Sequence, residues 1–215
     1  LLLRHNREWQ DPEIRSAADQ AAAAMRKIEH KTALSSLRGL EGAASAAFFG
    51  GYRRLFDPVW RFNTRQRRPP PDPVNAMLSL GYTLLAQLAK SAVQTVGLDP
   101  FAGFLHEYAY NRPALALDLM EEFRPVVDGV VLWCCRSGQL SPADFVEGPP
   151  DRPVMLNERG LKVFIQAFEQ RFDGKFTHPI SGQRLSMRQC LVEQARQVAG
   201  CAANGQVHFR AMGFR

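Results

Sequence analysis

Between Asp99 and Asp128 the chain reads DPFAGFLHEYAYNRPALALDLMEEFRPVVD, and this stretch gathers the side chains best suited to chemistry. His106 follows a short apolar patch and precedes a polar, turn-like interval, Tyr110-Asn111-Arg112-Pro113. Asp118 and Glu121 stand three apart, a spacing that stacks two carboxylates on one face of a helix. Arg124 continues that row. Carboxylates flanked by a histidine and an arginine on a mostly apolar helix are costly to bury without a purpose. A metal ion, or an anion that needs the whole group, supplies one. His106-Glu107 is not a zinc-protease helix, because position 110 is Tyr where that motif needs a second histidine. Nucleophile elbows, phosphate loops and dinucleotide fingerprints are absent. The remaining donors are His106, Asp118 and Glu121, with Glu41 as the best-placed distant acid. One imidazole with two or three carboxylates suits Mg²⁺ or Mn²⁺ better than a closed zinc site. An ion held this way serves phosphoryl transfer by polarising a phosphodiester.

Each of these side chains needs an element to hold it. Asp99-Pro100 reads as a helix start, with Asp as cap and Pro in the first turn. After Pro113, Leu115, Leu119 and Phe123 recur at i, i+4 and i+8, which predicts a helix carrying Asp118 and Glu121. Pro125 should kink or interrupt it. Glu41 falls in a predicted helix over 35–55, among Gly39, Gly42, Ala43, Ala44, Ser45, Ala46 and Ala47. Glycine inside a helix costs up to about 1 kcal/mol relative to alanine, so its presence asks for a reason. Either another backbone or a ligand approaches closely there, or the helices pack tightly and Glu41 faces solvent.

The other segments frame this centre. Residues 1–9 read as the end of a helix, and Asp11-Pro12-Glu13 starts another with Asp as its cap. From 53 to 68 the composition turns basic, with Arg53, Arg54, Arg61, Arg65, Arg67 and Arg68 against the single acid Asp57, and with Trp60 and Phe62 interleaved. Arginine with aromatics suits phosphate contact plus base stacking, although a solvated basic loop has the same composition. Asp72-Pro73 opens a helix to about Val96 that stops at Gly97. Its polar stripe, Asn75, Ser79 and Tyr82, needs partners if the helix is buried. Further on, the 148–157 loop is expected to hold a short strand, and Asn157 to cap a helix ending near Phe172. A turn at His178-Pro179 precedes a last helix over about 185–203. The closing VHFRAMGFR is basic and lacks periodicity. The expectation is one all-α, multi-helix lobe over 1–215 with short connections.

Composition narrows the class. The 215 residues are 46% hydrophobic and 22% charged, with a net charge of +6, as for a globular protein with a polyanion among its plausible partners. No uncharged run reaches the roughly 20 residues that span a bilayer. Cys134, Cys135, Cys190 and Cys201 do not match zinc-ligand spacing and read as reduced, buried thiols of a cytoplasmic protein. The chain does not begin with Met and reads as starting inside a helix, so a longer protein is expected.

Four motifs in order, GLEG, RRPPPDPVNAMLSLGYTLL, GLDPFAGFLHE and RPALALDLMEEFRPVVD, resemble the CRISPR-associated spacer-acquisition integrase, the DNA-integrating subunit of the adaptation complex. The likeness is strong over 1–131 and looser beyond. It implies the α-helical catalytic lobe of a protein whose N-terminal β lobe is absent from this chain. It also implies that Glu41, His106 and Glu121 hold Mg²⁺ or Mn²⁺, that Asp118 is catalytic, and that Arg124 contacts phosphate. The implied activity is metal-dependent transesterification that inserts short duplex DNA, the prespacer, into the CRISPR repeat. The implied partners are double-stranded DNA, a second copy in a homodimer, and a small ferredoxin-like companion subunit. A fused N-terminal enzyme, a reverse transcriptase or an iron–sulfur nuclease, is a further expectation. Arg53, Arg54, Trp60, Arg65, Arg67, Arg68 and Arg124 are the expected nucleic-acid contacts. Alternatives from other classes are a catalytically idle DNA-binding or scaffolding lobe and a stand-alone metal nuclease on branched DNA.

Overall fold

A computed structural model describes residues 1–107, 109–204 and 208–213, the side chains of Glu8, Glu29 and Asn204 excepted; of the closing VHFRAMGFR stretch, Val207, Phe214 and Arg215 lie outside the described residues. The fold is all-α with two small antiparallel hairpins. It divides into two compact units, Leu1–Ser79 with Val131–Val163, and Leu80–Val130 with Phe164–Arg215.

In the first unit, α1 (Leu2–Trp9) ends at Gln10 in the left-handed region. Asn6 then ties that end to the next start, donating to the Asp11 carbonyl (2.9 Å) and accepting from its N–H (2.7 Å). Asp11 caps α2 (Pro12–Arg26) by accepting from the Glu13 and Ile14 N–H groups, as its sequence predicts. Along α2 runs α3 (Leu34–Tyr52). A Cβ at Gly51 would lie 2.7 Å from that of Ala17, so glycine is needed for this close approach. Ile14, Tyr52 and Leu55 are essentially inaccessible, and the rings of Phe48, Phe49, Tyr52, Phe56 and Phe62 meet edge-on or stacked, a geometry that adds to simple burial. The helix expected to run to residue 55 gives way after Tyr52 to a 3₁₀ turn, Arg53–Leu55. Pro73 opens α4 (Pro73–Thr95), and Asp72 accepts from the Asn75 N–H at 2.8 Å. Strands β1 (Phe145–Glu147) and β2 (Val154–Leu156) pair with Val146 opposite Met155. Asn157 accepts from the Gly160 N–H and caps the helix that begins at Glu158.

In the second unit, α4 ends at Thr95 and Gly97 takes a positive φ of 81°. The Leu98 N–H reaches back to the Val93 carbonyl, closing the helix end as glycine at this position commonly does. Asp99-Pro100 does not start a helix. The Asp99 carboxylate accepts from the Phe101 N–H and its carbonyl from Ala102, which makes a turn; the described residues from 98 to 113 are irregular. His106 is therefore a loop residue. The chain then forms α5 (Ala114–Met120), a 3₁₀ turn over Glu121–Phe123, and α6 (Arg124–Arg136). Pro125 accounts for this interruption, since it has no N–H to donate into a continuous helix. Gly81 admits Val127 of α6, whose methyl would lie 2.5 Å from an added Cβ. In α7 (Glu158–Asp173), Phe164, Phe168 and Phe172 are buried, each contributing about 1.5–3 kcal/mol of apolar burial. Strands β3 (Phe176–Thr177) and β4 (Arg184–Leu185) form the expected turn around His178-Pro179, and α8 (Met187–Asn204) follows.

Candidate functional site

Asp118 organises the loop that carries His106. From its place in α5 its carboxylate accepts three consecutive backbone N–H groups, those of Phe104 (2.5 Å), Leu105 (3.0 Å) and His106 (2.9 Å). A fourth contact joins Asp118 Oδ1 to His106 Nδ1 at 2.6 Å. A carboxylate surrounded by N–H donors is an acceptor, so Nδ1 carries the hydrogen and donates. With Nδ1 engaged by Asp118, Nε2 is the ring nitrogen left to a ligand, the arrangement that orients histidine toward a metal ion. Gly103 is required here, because a Cβ on it would lie 2.7 Å from the Ala114 backbone and 2.9 Å from Asp118 Oδ2. The sequence placed Asp118 and Glu121 in one row; the structure gives them different tasks.

Glu121 turns to Arg124. Arg124 Nη1 donates to both carboxylate oxygens, at 2.9 and 2.8 Å. The guanidinium carbon lies 4.5 Å from the centre of the Tyr82 ring, a cation–π distance. Tyr82 donates its O–H to Asp128 at 2.5 Å, and Asp128 is buried. Burial works against the charge on Arg124, yet the neighbouring Glu121 carboxylate holds the guanidinium pKa above its ordinary value. Tyr82 thus finds the partner its polar stripe required. Asp128 was missed as a site residue, although its i+4 spacing from Arg124 was a usable signal.

Glu41 is exposed on α3 in the first unit, whereas His106, Asp118 and Glu121 belong to the second. Among the described residues, no three His, Cys, Asp or Glu side chains form a group that could hold an ion. Donor chemistry nevertheless fits a divalent cation. His106 Nδ1 is taken up by Asp118, which leaves Nε2 to a ligand, and both Glu121 oxygens accept from a cationic group, the Arg124 guanidinium. The crowding expected around Glu41 is not supplied by the described residues, since a Cβ at Gly39 or Gly42 would meet no atom within 4 Å.

The basic segment is less free than its composition suggested. Trp60 is 4% exposed and packs edge-on against Phe145; it is a core side chain, not a surface on which a base can stack. Phe62 is likewise buried. Arg65 donates to the Gln66 carbonyl, the Asn75 side-chain carbonyl and the Ser79 hydroxyl. Asn75 in turn holds the Thr64 carbonyl and Asp72. Arg65 is thus a latch between loop and α4, and Asn75 and Ser79 find their partners here. Arg54 pairs with Asp11 and Glu13, and Arg53 bonds Asn63 and lies 3.9 Å from Glu13. Arg67 and Arg68 remain exposed.

A network near Asp118 escaped the sequence reading altogether. Glu122 accepts from the Gln194 amide and from the Met212 N–H, while Gln194 also donates to the Arg210 carbonyl. This fastens residues 208–213 over α8. Beside it lies a cavity of about 270 Å³, lined by Phe104, Leu115, Asp118, Leu119, Cys201 and Phe209 among others. Nothing local in VHFRAMGFR signals this strap, because its partners lie far back in the chain.

Comparison with known proteins assigns the family. The family described as CRISPR associated protein Cas1 matches residues 1–170. A CRISPR-associated exonuclease Cas4/endonuclease Cas1 fusion from Rhodospirillum rubrum is 40% identical over 206 residues, 92% of this chain and 35% of that protein. Among solved structures, a CAS1 protein from Thermotoga maritima is 30% identical with a TM-score of 0.80, covering 89% of this chain and 59% of its own. A chain of a Cas6-RT-Cas1–Cas2 complex is 26% identical with a TM-score of 0.82, covering 100% of this chain and 23% of its own. This chain spans about half the length of other curated relatives, 48% and 55% in two cases. With its ordered motifs, its helical architecture and a family match over most of its length in agreement, the chain belongs to the Cas1 family of CRISPR-associated proteins.

Proposed function

We propose that this chain is the catalytic lobe of a cytoplasmic, metal-dependent DNA integrase and endonuclease of CRISPR adaptation, which joins prespacer duplexes to the CRISPR repeat. The observation that carries the proposal is the His106–Asp118 pair on its three-amide seat. Such a seat fixes an imidazole before any ligand arrives, at no reorganisation cost during the reaction. Glu41, His106 and Glu121 would hold Mg²⁺ or Mn²⁺. Once bound, the ion would supply Lewis-acid polarisation of the scissile phosphate and stabilise the departing oxygen. Asp118 keeps His106 in one tautomer and orientation. Arg124 lies next to Glu121 and offers guanidinium donors to a phosphate.

In the joining step the prespacer 3′-oxygen forms a bond to the repeat phosphorus and its proton passes to solvent. The bond from that phosphorus to the repeat's own 3′-oxygen breaks, and this leaving oxygen is protonated to a hydroxyl. One phosphodiester replaces another, so no external energy source is needed. Duplex DNA, a second copy of the protein and a small ferredoxin-like companion complete the proposed assembly. Cas2 in the name of one similar complex supports a companion, and Cas4 in the name of one relative supports a fused N-terminal enzyme.

The test is a strand-transfer assay on the full-length protein with its companion, in Mg²⁺, Mn²⁺ and chelator. Joining is expected with either ion, and Glu121→Ala is expected to lose about 10²-fold or more. Joining that persists in chelator would overturn the metal mechanism.

A further inference from the structure

Glu121 is 29% exposed in its side chain and Arg124 only 13%, so this ion pair is shielded well beyond a typical surface pair. Its shape matters as much as its burial. A single nitrogen, Nη1, straddles both carboxylate oxygens at 2.9 and 2.8 Å, as a cation chelated by both oxygens would. The guanidinium is also held from a second side. The Tyr82 ring lies 4.5 Å from its central carbon, and the O–H of that ring is anchored on buried Asp128. Arg124 therefore cannot be a loosely attached surface charge.

We infer that Arg124 is a resident counter-cation for Glu121, and that divalent-ion binding at this carboxylate is an exchange of one cation for another. This rests on the reading above that Glu121 is a metal ligand. Without such a cation, Glu121 would be a half-buried charge with no opposite partner, which is costly. With Arg124 in place the ion-free site is already neutralised, so an arriving ion gains only the difference between its own attraction and that of the guanidinium. The displaced guanidinium still rests on Tyr82, and the donors it withdraws from Glu121 become available to an anion. A phosphodiester has the charge and planar oxygen spacing to take them. Arg124 thus weakens metal binding alone and couples it to phosphate binding. Such coupling is reciprocal, so duplex DNA should tighten metal binding by the factor with which metal tightens DNA binding.

The experiment measures Mn²⁺ affinity by calorimetry on the full-length protein, with no turnover involved. Arg124→Gln is expected to bind Mn²⁺ about tenfold more tightly than the wild type in the absence of DNA. Arg124→Lys keeps the charge, loses the planar fork and should fall between the two, which guards against a folding defect in the glutamine variant. Added duplex should tighten Mn²⁺ binding in the wild type and leave Arg124→Gln unchanged. Unchanged or weaker Mn²⁺ binding in both arginine variants would overturn the exchange. Glu121→Gln separates the two levels: if it binds Mn²⁺ as the wild type does, Glu121 is no ligand, and the exchange falls together with the metal assignment.

Discussion

Asp118 illustrates how much one carboxylate can decide. Oδ1 takes the N–H and the ring Nδ1 of His106, and Oδ2 takes the N–H groups of Phe104 and Leu105. Four contacts thus converge on its two oxygens. An asparagine at this position keeps the size but turns an NH₂ group toward backbone donors, which leaves at least one amide unpaired. Asp118→Asn should therefore unseat the loop at 104–106 and free the imidazole tautomer. The expected result is a fall of about 10–100-fold in Mn²⁺ affinity, with a parallel loss of strand transfer. Mn²⁺ titration of the variant followed by the joining assay checks both; unchanged metal affinity would reduce Asp118 to a loop anchor. Cys134 and Cys190 lie at the other extreme. Burial pushes their thiols up to about 12 and about 11, which leaves them as small apolar side chains.

The segment from 53 to 68 shows why composition alone overstates a binding surface. Arg65 is spent on Asn75 and Ser79, Arg53 and Arg54 face the acids at the start of α2, and Trp60 is buried. Arg53 and Arg54 are exposed within their pairs, while Arg67 and Arg68 are exposed outside those pairs and suited to track a phosphate backbone. Salt dependence of binding counts the phosphates neutralised. Arg67→Ala with Arg68→Ala should flatten the log-affinity against log-salt slope by about 2 units, equally for all duplex sequences. Arg65→Ala should leave that slope near the wild-type value and instead lower the melting temperature, because it strips a partner from buried Asn75. Fluorescence anisotropy across a salt series, paired with thermal melts, distinguishes the two classes. A double variant with the wild-type slope would leave the loop as solvated surface.

At the scale of the whole molecule, acid stability and legibility follow from the same feature, side chains that meet across long stretches of sequence. The hydrogen bond from Arg159 holds the Asp144 carboxyl below its usual range, and the Ser141 N–H adds to it. A depressed carboxyl stabilises the fold above its unfolded value near 3.8 and loses that contribution as pH falls toward the folded one. Burial acts in the opposite direction on Asp72, raising its carboxyl despite its bonds to Asn75, so Asp72 opposes folding when ionised and relieves that cost on protonation. Urea midpoints at pH 7 and pH 3 should show Asp144→Asn less acid-sensitive than the wild type and Asp72→Asn more so. Equal acid sensitivity in all three would remove both assignments.

The sequence by itself determined the helices and most of their ends. Asp11, Pro73, Gly97, Pro125 and Asn157 act within a turn of their own position, so their effects can be read without knowing the fold. It also supplied the family through four ordered motifs, and within them the residue types His106, Asp118 and Glu121. Only the tertiary structure decided what those residues do. That Asp118 serves His106 and Glu121 binds Arg124, that Trp60 is core and Arg65 a latch, and that Glu122 fastens the strap at 208–213 all depend on partners brought in from elsewhere. Hydrogen bonds and burial are set by distance in space, and a side chain's spacing along the chain fixes only its neighbours within a turn or two.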